Sequence, residues 1–173
     1  PEATNIIFEL FAFLWVRKEF QKYSDLQPTV ISSTGHTDYV LRFAYTGTKD
    51  YTAFCSIPAA FTFIESLGGH KQIYKYNHDL VMKAAEICVK EWNTSMIAPP
   101  EMSGVMCCVL LPFHDDDKIE LLHKQLIEEH RLFFVYKKWK VGGKDQYIVR
   151  ISAQCYNSLD EYIFFANFVK KMM

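Results

Sequence analysis

No glycine-rich loop leads into a helix, no Cys-x-x-Cys pair occurs, no apolar run is long enough to cross a bilayer, and neither sign of charge dominates. Each absence excludes a class of protein. Gly142-Gly143 precedes a strand-like stretch, so no dinucleotide-binding turn is available. The five cysteines, Cys55, Cys88, Cys107, Cys108 and Cys155, form an odd set without metal-ligand spacing. Cys107 and Cys108 lie in an apolar run, which suits buried reduced thiols better than a disulfide framework. His123 and His130 miss the i, i+4 spacing of a helical zinc pair, and His114-Asp115-Asp116-Asp117 reads as a solvated helix entry, so no metal site is expected. Ile6 to Val16 is apolar for about 11 residues, against the roughly 20 that span a bilayer, and no basic region precedes it as in a signal peptide. With 19 Lys+Arg against 20 Asp+Glu, the chain carries no electrostatic footprint for nucleic acid or an anionic membrane. Repeats and low-complexity segments are missing as well. The Asn93-Thr94-Ser95 sequon would matter only in a secreted protein, and the expected location is cytoplasmic.

What is present is core material. Half of the 173 residues are apolar and 16% are aromatic, so the chain folds rather than staying disordered. It begins at Pro1 and runs directly into a core-like segment, and the expectation is a fragment of a longer chain.

The order of elements follows from periodicity. Phe11 to Val16 is a continuous aromatic and β-branched run, predicted as a strand buried on both faces. Tyr39 to Tyr45 is predicted as a short extended piece. A helix over 52–67 would bury Ala53, Phe54, Ile57, Ala60, Phe61, Ile64 and Leu67, with Pro58 kinking it or marking its ordered start. Gly68-Gly69 stops it, and a second helix over 70–92 carries Ile73, Tyr76, Leu80, Ala84, Ile87 and Trp92. A buried strand follows at 105–111, then a helix near 116–129 with Ile119, Leu122 and Leu126 inside. Leu132–Tyr136 and Tyr147–Ala153 read as strands, with Gly142-Gly143-Lys144-Asp145 as a hairpin signal. The last helix starts at the capping box Ser158-Leu159-Asp160-Glu161 and places Ile163, Ala166 and Val169 inside. The fold class is therefore α/β, with a small sheet containing an antiparallel hairpin and covered by helices.

Two places carry chemistry. Arg42-Phe43-Ala44-Tyr45-Thr46-Gly47-Thr48-Lys49-Asp50-Tyr51-Thr52 sets hydroxyls, a glycine and a cation before a helix, which makes either an anion cradle or an ordinary turn. Strand alternation groups Arg150 with Ile148 and Ser152 on one face. There the guanidinium is either solvated or clamps a carboxylate.

At these places a family resemblance enters. Phe13-Leu14-Trp15-Val16-Arg17, Arg42 to Asp50 and Pro58-Ala59-Ala60 resemble the class V aminotransferase family, in its isopenicillin N epimerase-like branch. Arg150-Ile151-Ser152-Ala153-Gln154-Cys155-Tyr156-Asn157-Ser158-Leu159-Asp160-Glu161 is similar to the closing motif of that family, and the likeness covers residues 12–173. The resemblance implies a fold type I pyridoxal-phosphate enzyme, a homodimer with active sites at the subunit boundary. Thr46, Gly47 and Thr48 would cradle the phosphate of the neighbouring subunit's cofactor, and Arg150 would grip the carboxylate of an amino-acid substrate. Residues 1–68 would close the large cofactor-binding domain with its last strand and helix, and 69–173 would form the small domain.

One departure matters. Where the resemblance implies the Schiff-base lysine, the chain has Pro1-Glu2-Ala3-Thr4-Asn5, and Lys18, its first lysine, has no catalytic counterpart. No catalytic residue is therefore assigned here. The expectation is the C-terminal portion of a pyridoxal-phosphate enzyme of aminotransferase, cysteine desulfurase or epimerase type, not binding the cofactor alone. The alternative is a non-catalytic isoform or pseudoenzyme that dimerises with a full-length partner.

Overall fold

A computed structural model describes residues 14–22, 25–33 and 38–173, the side chain of Val141 excepted. The described residues divide into two compact units, Thr62–Met173 and those up to Phe61.

In the unit from Thr62 on, the apolar pattern is answered element by element. Helix α5, His70–Trp92, has the predicted bounds, and its left-handed C-cap Asn93 (φ 51°) turns the chain out of the helix. Strand β1, Met106–Leu110, follows. Helix α6, Asp116–His130, is capped by Asp115, whose side chain accepts from the Asp117 N–H at 2.9 Å. Strands β2, Val135–Val141, and β3, Lys144–Ser152, form the hairpin, and helix α7, Leu159–Lys171, closes the chain. The sheet is antiparallel throughout, in the order β1-β3-β2, with Arg150 opposite Cys108 on one side and Val135 on the other. Gly142 and Gly143 have φ of +57° and +80°, the two left-handed residues that a tight hairpin matching the strand twist requires.

Packing covers one face of the sheet. Tyr147, Val149 and Ile151 of β3 are buried, while Ile148, Arg150 and Ser152 on the other face are half-buried. The first set shares a core with Val81, Ala84, Cys88 and Trp92 of α5, Ile119, Leu122 and Leu126 of α6, and Phe165, Ala166 and Val169 of α7. Each fully buried leucine or isoleucine contributes about 1.5–3 kcal/mol. Trp92 ties α5 to α7: its Nε1 donates to the Ala166 carbonyl at 3.0 Å, and its ring meets Phe165 edge-on at 5.6 Å.

Three expectations for this unit change. The inner stripe of α5 runs through Asn77, Leu80, Val81, Ala84, Ala85, Cys88 and Trp92; Tyr76 is exposed and Ile73 and Ile87 only half-buried. In α7, Phe165 takes the place expected for Ile163, which is at the surface. β2 starts at Val135 rather than Leu132. Arg131 ends α6 in the left-handed conformation (φ 52°) and the Leu132 N–H returns to the Leu126 carbonyl at 2.8 Å, so Leu132–Phe134 are spent on leaving the helix.

The unit up to Phe61 holds short helices, α1 (Lys18–Gln21), α2 (Tyr39–Arg42) and α3 (Thr52–Cys55), and the start of α4 (Ile57–Ser66). The strand expected over 11–16 lies outside the described residues for 11–13. Leu14 to Val16 are not in a strand, and Leu14 and Trp15 are 60% and 72% exposed. Among the described residues nothing runs beside them, and a strand exists only through its ladder. The extended piece expected at Tyr39–Tyr45 is instead α2 and a turn, because Asp38 caps it by accepting from the Leu41 N–H at 3.0 Å. The helix expected over 52–67 is split at Ser56 into α3 and α4, with Pro58 second in α4. None of the residues of α3 and α4 is buried, and Phe54, Phe61 and Leu67 of the expected stripe are exposed.

Among the described residues no helix is long and apolar enough to cross a membrane, and no cluster of His, Cys, Asp and Glu could hold a metal ion.

Candidate functional site

Thr46, Gly47 and Thr48 lie together in the loop between α2 and α3, with both threonines exposed. Gly47 has φ +112° and open space where a Cβ would stand, so conformation rather than crowding calls for glycine there. The helix start beyond the loop is already answered internally. Asp50 accepts from the Thr52 N–H at 2.8 Å and from the Thr52 hydroxyl, and these two bonds hold its carboxyl below the usual range. An anion at this loop would therefore meet the Thr46 and Thr48 hydroxyls and the backbone around Gly47, not the first turn of α3.

Arg150 lies in the other unit, near the C-terminal end of β3, the middle strand of the sheet. Its Nε is buried and has no hydrogen-bond partner among the described residues. A buried guanidinium nitrogen without an acceptor is costly, and a bidentate carboxylate is the ligand whose geometry answers it. Directly across the ladder stands Cys108, whose thiol burial pushes up while the nearby guanidinium pulls it down.

Arg150 lines a cavity of about 600 Å³. The sheet leaves room for it: β2 begins only at Val135, opposite Arg150, so the end of β3 has no partner strand on that side. Leu132–Val135 form one wall, and the β3–α7 connection with the start of α7 forms the other. The lining is mostly aromatic and aliphatic, with Phe133, Phe134, Tyr156, Phe164 and Phe165 among its residues. His130, Arg131, Asp160 and Glu161 also line it.

The β3–α7 connection is held by a polar frame. The Tyr162 hydroxyl donates to the Ser152 carbonyl at 2.7 Å and the Tyr76 hydroxyl to the Asn157 carbonyl at 2.8 Å. Burial pushes the Tyr162 phenol up, which keeps it a donor. Gln154 N–H donates to Asn157 Oδ1 at 3.0 Å, and Asn157 N–H returns to the Gln154 carbonyl at 2.9 Å, closing a turn with Cys155 and Tyr156 at its tip. Buried Asn77 of α5 reaches the Gln154 side chain at 3.3 Å. Asn157 Nδ2 and the Ser158 N–H both donate to Glu161, at 3.1 and 2.9 Å, completing the capping box.

The structure thus gathers Thr46, Gly47 and Thr48 in one loop of the first unit and sets Arg150 in a cavity of the second. Sequence reasoning passed over the cavity walls. Tyr156 and Asn157 belong to the quoted closing motif, so a signal existed for them; Asn77 and Phe133 gave none.

Comparison with known proteins points in one direction. The chain is 31% identical over 161 residues to the probable L-cysteine desulfhydrase, chloroplastic, of Arabidopsis thaliana, covering 87% of this chain and 34% of that one. It is 30% identical over 182 residues to the putative L-cysteine desulfhydrase 2 of Oryza sativa subsp. japonica, covering 94% of this chain and 38% of the relative. It is also 30% identical over 129 residues to the hercynylcysteine sulfoxide lyase of Schizosaccharomyces pombe, covering 75% of this chain and 31% of that protein. The chain therefore spans about a third of the length of the curated relatives it matches. No family model matches it.

Proposed function

We propose that this chain is the C-terminal portion of a pyridoxal-phosphate-dependent enzyme of the class V, isopenicillin N epimerase-like type, acting on an amino acid. Cysteine desulfhydrases and the lyase among its relatives depend on pyridoxal phosphate. The observation that carries the proposal is Arg150, whose buried Nε lacks an acceptor while its side chain lines a cavity of substrate size. In this reading Arg150 binds and orients the substrate carboxylate beside a mostly aromatic and aliphatic wall.

The exposed hydroxyls of Thr46 and Thr48 and the open left-handed backbone at Gly47 fit a phosphate, and they would hold that of the cofactor. The cofactor, when bound, supplies the electron sink for chemistry at the α-carbon. The lysine that anchors it is assigned to no residue of this chain. Residues 1–68 are taken as the end of a large domain and 69–173 as the small domain. The relatives' names favour a sulfur-containing amino acid over other substrates. Five unpaired cysteines suit a reducing compartment such as the cytoplasm.

One titration series tests this. Propionate and L-alanine should bind the chain weakly and lose about tenfold or more in affinity on Arg150→Gln, as loss of a charge-assisted pair implies. Added pyridoxal phosphate should give no absorbance band of lysine-bound cofactor. Equal binding by the Arg150→Gln variant, or appearance of that band, would count against the reading.

Exposed Leu14, Trp15, Val40 and Leu41 favour a dimer, either of two such chains or of this chain with a longer homologous partner. The latter pairing is the non-catalytic reading. Sedimentation at micromolar concentration, alone and with a full-length relative, separates the two, and a monomer in both experiments would remove the proposal of a dimer.

A further inference from the structure

The Arg150 cavity is built for more than a carboxylate. Its walls carry Phe133, Phe134, Tyr156, Phe164 and Phe165, and three of these rings, Phe133, Tyr156 and Phe164, are 59%, 67% and 42% exposed. Exposed aromatics lining one cavity are unusual unless a flat or apolar group is received there, since water gains nothing from them. The volume is also far larger than a carboxylate needs. A cavity of about 600 Å³ lined by half-buried Arg150 and by aromatic rings takes a ligand with a second, apolar end.

Tyr156 is the ring placed to decide which ligands stay. The Gln154–Asn157 turn is pinned at both ends: Tyr162 holds the Ser152 carbonyl, Tyr76 holds the Asn157 carbonyl, and Asn157 bonds back to Gln154. Between these fixed points Tyr156 projects from the tip with two thirds of its surface in water. A rigid mount with a free aromatic ring costs little conformational entropy when the ring covers a ligand. Most of the ring is left to water, and its phenol lies near enough to Tyr162 to help push that group's pKa up.

We propose that Tyr156 is the specificity-determining residue of this cavity, covering the apolar side chain of a carboxylate ligand held by Arg150. The class of ligand is then a carboxylate bearing an aromatic or bulky apolar group, a bulky S-substituted sulfur amino acid included, preferred over a small polar one. This rests on the reading of Arg150 as a carboxylate clamp.

The probes are 3-phenylpropionate and propionate, which share the carboxylate and differ by the ring, followed by amide chemical-shift changes in the 173-residue chain. 3-Phenylpropionate should bind at least about fivefold tighter, the scale of one aromatic contact. Tyr156→Ala should remove most of that difference and leave propionate unchanged, and Tyr156→Phe should restore it. Equal loss for both acids, or no loss, would overturn the role of Tyr156 while leaving Arg150 intact. Arg150→Gln should weaken both acids alike. If it weakens neither, or if the wild-type chain binds neither acid, the clamp falls and the specificity role with it. Because Tyr156 is exposed, an unchanged thermal melt is expected for its variants and separates lost binding from lost fold.

Discussion

Arg150 and Cys108 stand opposite each other on β3 and β1, one a fixed cation, the other a thiol that burial keeps protonated. One residue earlier on β1, Cys107 turns to the helix-covered face, and burial pushes its thiol up to about 12, as it does that of Cys88 on α5. Their ordinary value is 9.0, so at neutral pH both are inert, since the thiolate is the reactive form. Cys55 and Cys155 are exposed. Maleimide labelling of the native chain near pH 8 should therefore mark Cys55 and Cys155 first, with Cys88 and Cys107 reacting only after denaturation; mass spectrometry of the labelled peptides reads the order. Labelling of Cys107 as fast as Cys155 would contradict the packing of β1 on α5. The apolar run around Cys107 and Cys108 was enough to foresee reduced thiols. Which of the two is buried was not foreseeable without knowing which face of β1 the helices cover.

At the scale of elements, local chemistry was the best guide. The capping box at Ser158 forms as its spacing implies, and Glu161 serves twice, accepting from the Ser158 N–H and from Asn157 Nδ2. Glu161→Ala should thus cost about 1 kcal/mol in urea unfolding, the usual worth of a cap, and an unchanged midpoint would show that the cap carries no stability. The hairpin was equally legible, because two consecutive glycines between alternating runs admit few backbones. Helix rotation was less so. In α5 the periodicity was right, yet the inner stripe runs through Asn77 and Val81, not Tyr76 and Ile87. A 3.6-residue repeat leaves the exact facing direction to the surface it meets, and on the buried side Asn77 donates its Nδ2 to Gln154 while its Oδ1 finds no partner among the described residues. The short helices before Phe61 defeated pattern reading for a different reason. α2 owes its form to one side-chain bond from Asp38, and Leu14 to Val16 lack a neighbouring strand among the described residues.

For the whole molecule, everything in the shared core lies between Leu80 and Val169, inside the unit from Thr62 on. The amino-acid sequence by itself determined the elements of that unit, their order, the antiparallel hairpin and the face on which Arg150 stands. These depend on local propensity, period and turn chemistry, which act over a few residues. It also singled out Thr46, Gly47 and Thr48 as one loop, an anion cradle or an ordinary turn by residue type alone. Only the tertiary structure decided that Arg150 has a buried nitrogen with no acceptor and an aromatic cavity beside it. That cavity exists because β2 starts late, opposite Arg150, and because walls far apart in sequence, at 130–135 and 152–165, meet at the exposed end of β3. Such a juxtaposition is a property of how the ends of the β2–β3 hairpin and the start of α7 pack together, and no short-range pattern encodes it.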